Sequence, residues 1–200
     1  MKPAPFEYHR PATLDEALKL LARYGDEAKV LAGGQSLVPL MNMRLVRPRH
    51  IIDINHLPEL DRIEPVGSAI RVGALVRHKQ LLSHPLVAEH APLLREAAGF
   101  IGHPPIRNRG TVVGSLVHGH PAAELPVAFV ALQGNLHVIS TRGRREIPAR
   151  ELFEDYFSTA VAPDELATHA TFPVGPPRTG YAMQEFSRRK GDFALVAVAC

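Results

Sequence analysis

Two glycine-bearing stretches hold the residue types from which an anion cradle is built. In the first, Ala32, Gly33, Gly34, Gln35 and Ser36, with Leu37 after them, follow a short apolar run and precede residues at helical spacing. Glycines allow close backbone approach, successive N–H groups then point at one place, and the positive end of the following helix adds to their field. Ser36 is expected to cap that helix and to offer its hydroxyl to the same anion. A phosphate suits such a place. A tight strand-to-helix turn with no ligand explains the five residues just as well when they are taken alone.

The second stretch, RNRGTVVGSLVHGHPAAELP at 107–126, adds donors and hydroxyls from Gly110, Thr111, Gly114 and Ser115. Two anion-ready loops in one chain meet the needs of a dinucleotide, whose pyrophosphate takes several donors and whose ribose hydroxyls pair with a carboxylate such as Glu124. By itself Glu124 reads equally as a solvated acid in the first turn of a helix. His118 and His120 lie close together, but no further ligand has recognisable spacing and zinc takes three or four, so no metal site is expected. Cys200 is the only cysteine. The chain therefore holds neither an internal disulfide nor a thiolate-bound iron–sulfur cluster.

The elements that must position these loops begin with a helix. Thr13 and Glu16 have capping-box spacing, Leu14, Ala17, Leu18 and Leu21 fall on one face, and Gly25 provides a stop. AKVLAG at 28–33 reads as a buried strand, QSLVPLMNMRL as a helix and RHIIDI at 49–54 as another strand, together a small parallel unit. Breakers at 57–70 mark a first boundary. A second lobe follows, with a strand near 69–75, helical material through 77–100, a long loop at 99–121, a helix at 122–132 and a hairpin turning at 141–144. Three prolines and two glycines in 171–180 suggest a linker. Apolar content of 46% and charge of 22% describe a globular chain, without the run of about 20 apolar residues that a membrane span needs. No secretory signal is visible, so a cytoplasmic location is expected. The net charge of +3 is scattered and lacks interleaved aromatics, which argues against nucleic acid.

Three long segments carry a resemblance: AGGQSLVPLMNMRLVRP (32–48), IGHPPIRNRGTVVGSLVHGHPAAELP (101–126) and EFSRRKGDFALVAVA (185–199). In order and spacing they resemble the FAD-binding, medium-type subunits of molybdopterin dehydrogenases, the family that includes carbon monoxide dehydrogenase-like enzymes and the flavin domain of xanthine dehydrogenase. The resemblance implies an α+β, two-lobed FAD-binding fold of the vanillyl-alcohol oxidase and p-cresol methylhydroxylase type. It implies a first lobe over 1–58, a second over 59–175, and over 176–200 the start of a C-terminal domain cut short. By position it implies that Ala32 to Leu37 and then Thr111, Gly114 and Ser115 hold the pyrophosphate, that His120 lies in the second loop, that Glu124 contacts the adenosine ribose, and that Lys190 and Phe193 lie near the flavin. The implied role is electron transfer within a hetero-oligomer. A molybdenum–pterin large subunit and a two-iron iron–sulfur small subunit would supply electrons that FAD passes to an external acceptor. No side chain is then needed as a catalytic nucleophile or base.

The chain departs from that pattern at Val113, where the family carries glycine, and at His120, where it carries aspartate. A β-branched residue at 113 is expected to obstruct close approach and weaken FAD binding, so that Val113→Gly would tighten it. The alternative to an electron-transfer subunit is a non-catalytic assembly or binding subunit with the same fold. A doubly wound NAD enzyme is disfavoured by the lack of a G-x-G-x-x-G fingerprint.

Overall fold

The computed structural model describes all 200 residues. The chain runs β1 (Glu7–His9), α1 (Leu14–Tyr24), β2 (Ala28–Leu31), α2 (Leu37–Asn42), β3 (His50–Asp53), β4 (Ile63–Val66), β5 (Ala69–Gly73), α3 (His78–Ser83), α4 (Pro85–His90), α5 (Pro92–Phe100), α6 (Pro104–Arg109), α7 (Val112–His118) and α8 (Glu124–Ala131). There follow β6 (Asn135–Ser140), β7 (Gly143–Pro148), α9 (Ala149–Leu152), β8 (Phe153–Asp155), β9 (Ser158–Thr159), β10 (Leu166–Pro173), β11 (Met183–Phe186) and β12 (Val196–Ala199). No helix is long and apolar enough to cross a membrane.

The first sheet is the expected parallel unit with one strand more, in the order β1-β3-β2. Its helix α1 starts as the spacing predicts: Thr13 Oγ1 accepts the Glu16 N–H at 3.2 Å and the Glu16 carboxylate accepts the Ala12 N–H at 2.8 Å. Ala17, Leu18 and Leu21 are buried, and Gly25 ends the helix at φ 47°. The second sheet is antiparallel, in the order β4-β5-β10-β6-β7; α4 and α7 pack on it, and α3, α5, α6 and α8 pack against these helices and one another. One apolar cluster of 38 buried residues runs from Ala17 to Met183 and joins both sheets.

Two expectations about loops are corrected. The segment 99–121 is not one long loop, because Pro104 begins α6, Thr111 caps α7 and Gly119 ends it in the left-handed region, so that the breakers punctuate two short helices. The supposed linker at 171–180 contributes its first three residues to β10, the middle strand of the larger sheet. The breakers at 57–70 enclose β4, where Pro65 is tolerated because β4 is an edge strand.

Candidate functional site

The first loop leaves β2 at the carboxyl edge of the parallel sheet. Gly34 turns it at φ 70°, a conformation strained for other residues, and a Cβ there would lie 3.0 Å from Leu31 Cδ1. Gly33 is pressed against the second loop: a Cβ at this position would meet the Arg109 carbonyl oxygen at 2.6 Å and Gly110 Cα at 2.8 Å. The two loops thus touch backbone to backbone.

From Gly33 through Leu37, no backbone N–H donates to any protein acceptor. Unpaired backbone donors are costly unless water or a ligand takes them. Gly33, Gly34 and Gln35 border an open cavity of about 620 Å³, which is also lined by Asp53, Asn55, Arg77 and Arg109. Both arginines bring positive charge to the mouth of that cavity. A run of free donors with cations beside it suits a phosphate or pyrophosphate. Ser36 departs from expectation, since its side chain makes no capping bond; its exposed hydroxyl is left for solvent or a ligand. Leu37, half-buried, begins α2.

A chain of hydrogen bonds that the sequence did not disclose fixes this edge. Tyr8 Oη donates to Asp53 Oδ2 at 2.5 Å, Asn55 Nδ2 donates to Asp53 Oδ1 at 2.7 Å and to the Ala32 carbonyl at 2.9 Å, and Arg77 donates to Asn55 Oδ1 at 2.5 Å and to the Arg109 carbonyl at 2.6 Å. Burial alone would raise the Asp53 pKa, but the hydrogen bonds from Tyr8 and Asn55 prevail and hold its carboxyl below the usual range. Its bond to Asp53 in turn raises the Tyr8 phenol. Burial lowers the Arg77 guanidinium.

The second loop is held from below by His78, whose Nε2 lies 2.9 Å from the Thr111 carbonyl. Burial pushes the His78 imidazole down to about 4. Thr111 is itself buried, and its hydroxyl accepts the Gly114 N–H at 3.2 Å. A Cβ on Gly114 would sit 2.5 Å from that oxygen. Both residues therefore build the start of α7, with Ser115 half-buried in its first turn. Val113 is 2% exposed and belongs to the core, in helical backbone without a positive φ. The position expected to lie open to the cofactor is thus a core position, and the FAD affinity of Val113→Gly tests the expected obstruction.

The remaining candidates gather at the other end of α7, a helix about 10 Å long at 1.5 Å per residue. His120 stacks on Phe193 with ring centroids 4.1 Å apart and planes 8° apart, and its Nδ1 accepts the Ala122 N–H at 3.1 Å. This is the two-residue turn bond that an aspartate would also accept. Phe193 and Phe186 are exposed and so are not core residues. Gly191, at φ 87°, brings the 188–193 segment against the His103 ring, while Lys190 is exposed and makes no ion pair. Glu124 is not the solvated acid that its helix position allows. It is 5% exposed, and burial, with Glu185 nearby, pushes its carboxyl up to about 7.

Residues 4–175 match the family model described as the FAD binding domain in molybdopterin dehydrogenase. The whole chain is 45% identical to the 6-hydroxypseudooxynicotine dehydrogenase complex subunit alpha of Paenarthrobacter nicotinovorans, spanning 67% of that protein. It is 39% identical to the carbon monoxide dehydrogenase medium chain of Hydrogenophaga pseudoflava, spanning 69% of it. Among solved structures it superposes along its full length on 69% of a chain of quinoline 2-oxidoreductase from Pseudomonas putida 86, with a TM-score of 0.94 at 35% identity. It also superposes on 70% of a chain of a Cu,Mo-CO dehydrogenase, with a TM-score of 0.97 at 34% identity.

Proposed function

The chain belongs to the family of FAD-binding domains in molybdopterin dehydrogenases, and from that premise we propose that it is the flavoprotein electron-transfer subunit of a molybdenum hydroxylase complex. The observation that carries the proposal is the unbroken run of free N–H groups from Gly33 to Leu37 beside the cavity that Arg77 and Arg109 flank. That donor set fits a dinucleotide's pyrophosphate, so the residues present suit FAD. When bound, FAD supplies the redox chemistry, and the protein supplies position and field.

In this reading the Ala32–Leu37 loop binds the pyrophosphate through backbone donors, and Gly33 lets the Arg109–Thr111 backbone close one side. Thr111, Gly114 and Ser115 form the capped start of α7 beneath it. Glu124, protonated below about pH 7, would donate to or accept from a hydroxyl of the adenosine ribose, and the flat His120–Phe193 pair and Lys190 would border the flavin. The two lobes of a vanillyl-alcohol oxidase-type fold would enclose the cofactor between the parallel and antiparallel sheets. Electrons would arrive from a two-iron iron–sulfur subunit, fed by a molybdenum–pterin subunit, and leave to an external acceptor.

The test is flavin content. The full chain, co-expressed with its neighbours and desalted, is expected to keep visible flavin absorption. Gly34→Val is expected to lose it while retaining a cooperative melt. Full retention in that variant would move the pyrophosphate elsewhere, and a wild-type complex that takes up no FAD would overturn the proposal.

A further inference from the structure

On the face of β1 turned away from this network, three metal-ligating side chains converge that no part of the flavin reading uses. In the parallel ladder Glu7 pairs with His50, and Glu7 and His9, two residues apart, lie on the same face of β1. His9 Nε2 lies 3.1 Å from His50 Nδ1, His50 Nδ1 lies 3.4 Å from Glu7 Oε2, and His9 Nε2 lies 3.9 Å from the same oxygen. We propose that Glu7, His9 and His50 form a binding site for one divalent transition-metal ion of the zinc type, with solvent as the fourth ligand.

Size supports this first. Tetrahedral zinc, with bonds of about 2.0–2.1 Å to nitrogen and oxygen, holds its ligand atoms about 3.3–3.4 Å apart. The observed triangle brackets that spacing, so an ion can enter with side-chain shifts of a few tenths of an ångström. The chemistry agrees, because two imidazoles and one carboxylate make a recurrent zinc set. Without an ion, the single proton between Nε2 and Nδ1 satisfies one lone pair and leaves the other imidazole to donate elsewhere.

The rings are also held in place. Tyr24 stacks on His50 at 3.6 Å with planes 14° apart and on His9 at 5.2 Å, so packing limits both imidazoles before any ion binds. The two histidine side chains are 19% and 12% exposed and Glu7 is 70% exposed, which leaves an entry path on the carboxylate side. An ion here would staple β1, a strand of three residues, to β3. On the opposite face of the same strand, Tyr8 reaches Asp53 at the edge of the cavity. His118 and His120 offer no comparable set, since their ring centroids are 6.2 Å apart and no third ligand joins them.

The probe is zinc itself, titrated into the metal-stripped full chain against a chromophoric chelator, with melting followed in parallel. One equivalent per chain is expected, with a rise in Tm that grows with free zinc. His9→Ala and His50→Ala should each weaken binding at least tenfold, Glu7→Gln should weaken it less, and His90→Ala should leave it unchanged. A cooperative melt of every variant reports folding, and flavin content, measured alongside, separates this site from the flavin proposal. If an alanine variant fails to fold, His50→Gln decides in its place. Binding that survives in the folded His9 and His50 variants, or a folded wild-type chain that takes up no zinc, would overturn the assignment.

Discussion

At position 113 a valine fills space inside the core that a glycine would leave empty. Because Val113 is 2% exposed in the first turn of α7, Val113→Gly removes buried methyls and increases the backbone entropy lost on folding, at a combined cost of about 2–4 kcal/mol. Urea melts should show that loss, and FAD affinity should not improve; tighter FAD at unchanged stability would restore the idea that this side chain blocks the cofactor. The glycines of the first loop were legible from the sequence because Gly34 answers a local backbone demand. Asn55, Arg77 and Asp53 were not, because each acts on a partner far along the chain, as Arg77 does on the Arg109 carbonyl. Glu124 shows a further limit. Its helix position argues for solvent, but the packing of α5, α7 and β12 around α8 leaves it 5% exposed.

Among the elements, the join between the two loops decides whether there is a cradle at all. A methyl at Gly33 would collide with the Arg109 carbonyl, a backbone atom fixed by Arg77, so Gly33→Ala is expected to push the loops apart. The variant should lose about 1–3 kcal/mol and most of its flavin, read by melting and absorbance. Gly99→Ala makes the contrast, since that glycine lies in α5 with open space around it and should gain about 0.5–1 kcal/mol. Equal effects at the two sites would mean that the loop contact is not what Gly33 serves. Here the sequence predicted the parallel unit, the α1 cap and the β6–β7 hairpin, whose signals are local. It misjudged 99–121 and 171–180 because proline and glycine mark the ends of short helices and strands as readily as they mark loops. The ligand set of Glu7, His9 and His50 escaped for a related reason, since it assembles only when β1 pairs with β3.

For the molecule as a whole, two buried groups tie stability to pH with opposite signs. His78 titrates at about 4 when folded and 6.5 otherwise, so the stability of its neutral form is complete above pH 6.5 and is lost as pH falls toward 4. Glu124 titrates at about 7 against 4.5, so its contribution is complete below pH 4.5 and is lost as pH rises toward 7. Each shift is worth on the order of 3 kcal/mol across its window. Removing the carboxylate with Glu124→Gln should make the difference between variant and wild type climb from pH 4.5 to 7, measured by urea melts at several pH values. Parallel curves would mean that Glu124 ionises normally in the fold. The larger sheet carries a different consequence, one of time. Its middle strand, β10, is the last of the five to be synthesised, and it pairs with β5 nearly a hundred residues earlier in the chain. Such distant pairing is slow to close, and until residue 173 has left the ribosome β5 and β6 lack the strand between them. The second loop and α7 lie in the chain between β5 and β10, so a nascent chain can form the parallel unit early yet complete the cradle only after β10 is in place. FAD capture then becomes a late step of biosynthesis, and nascent chains stalled before β10 should emerge without flavin.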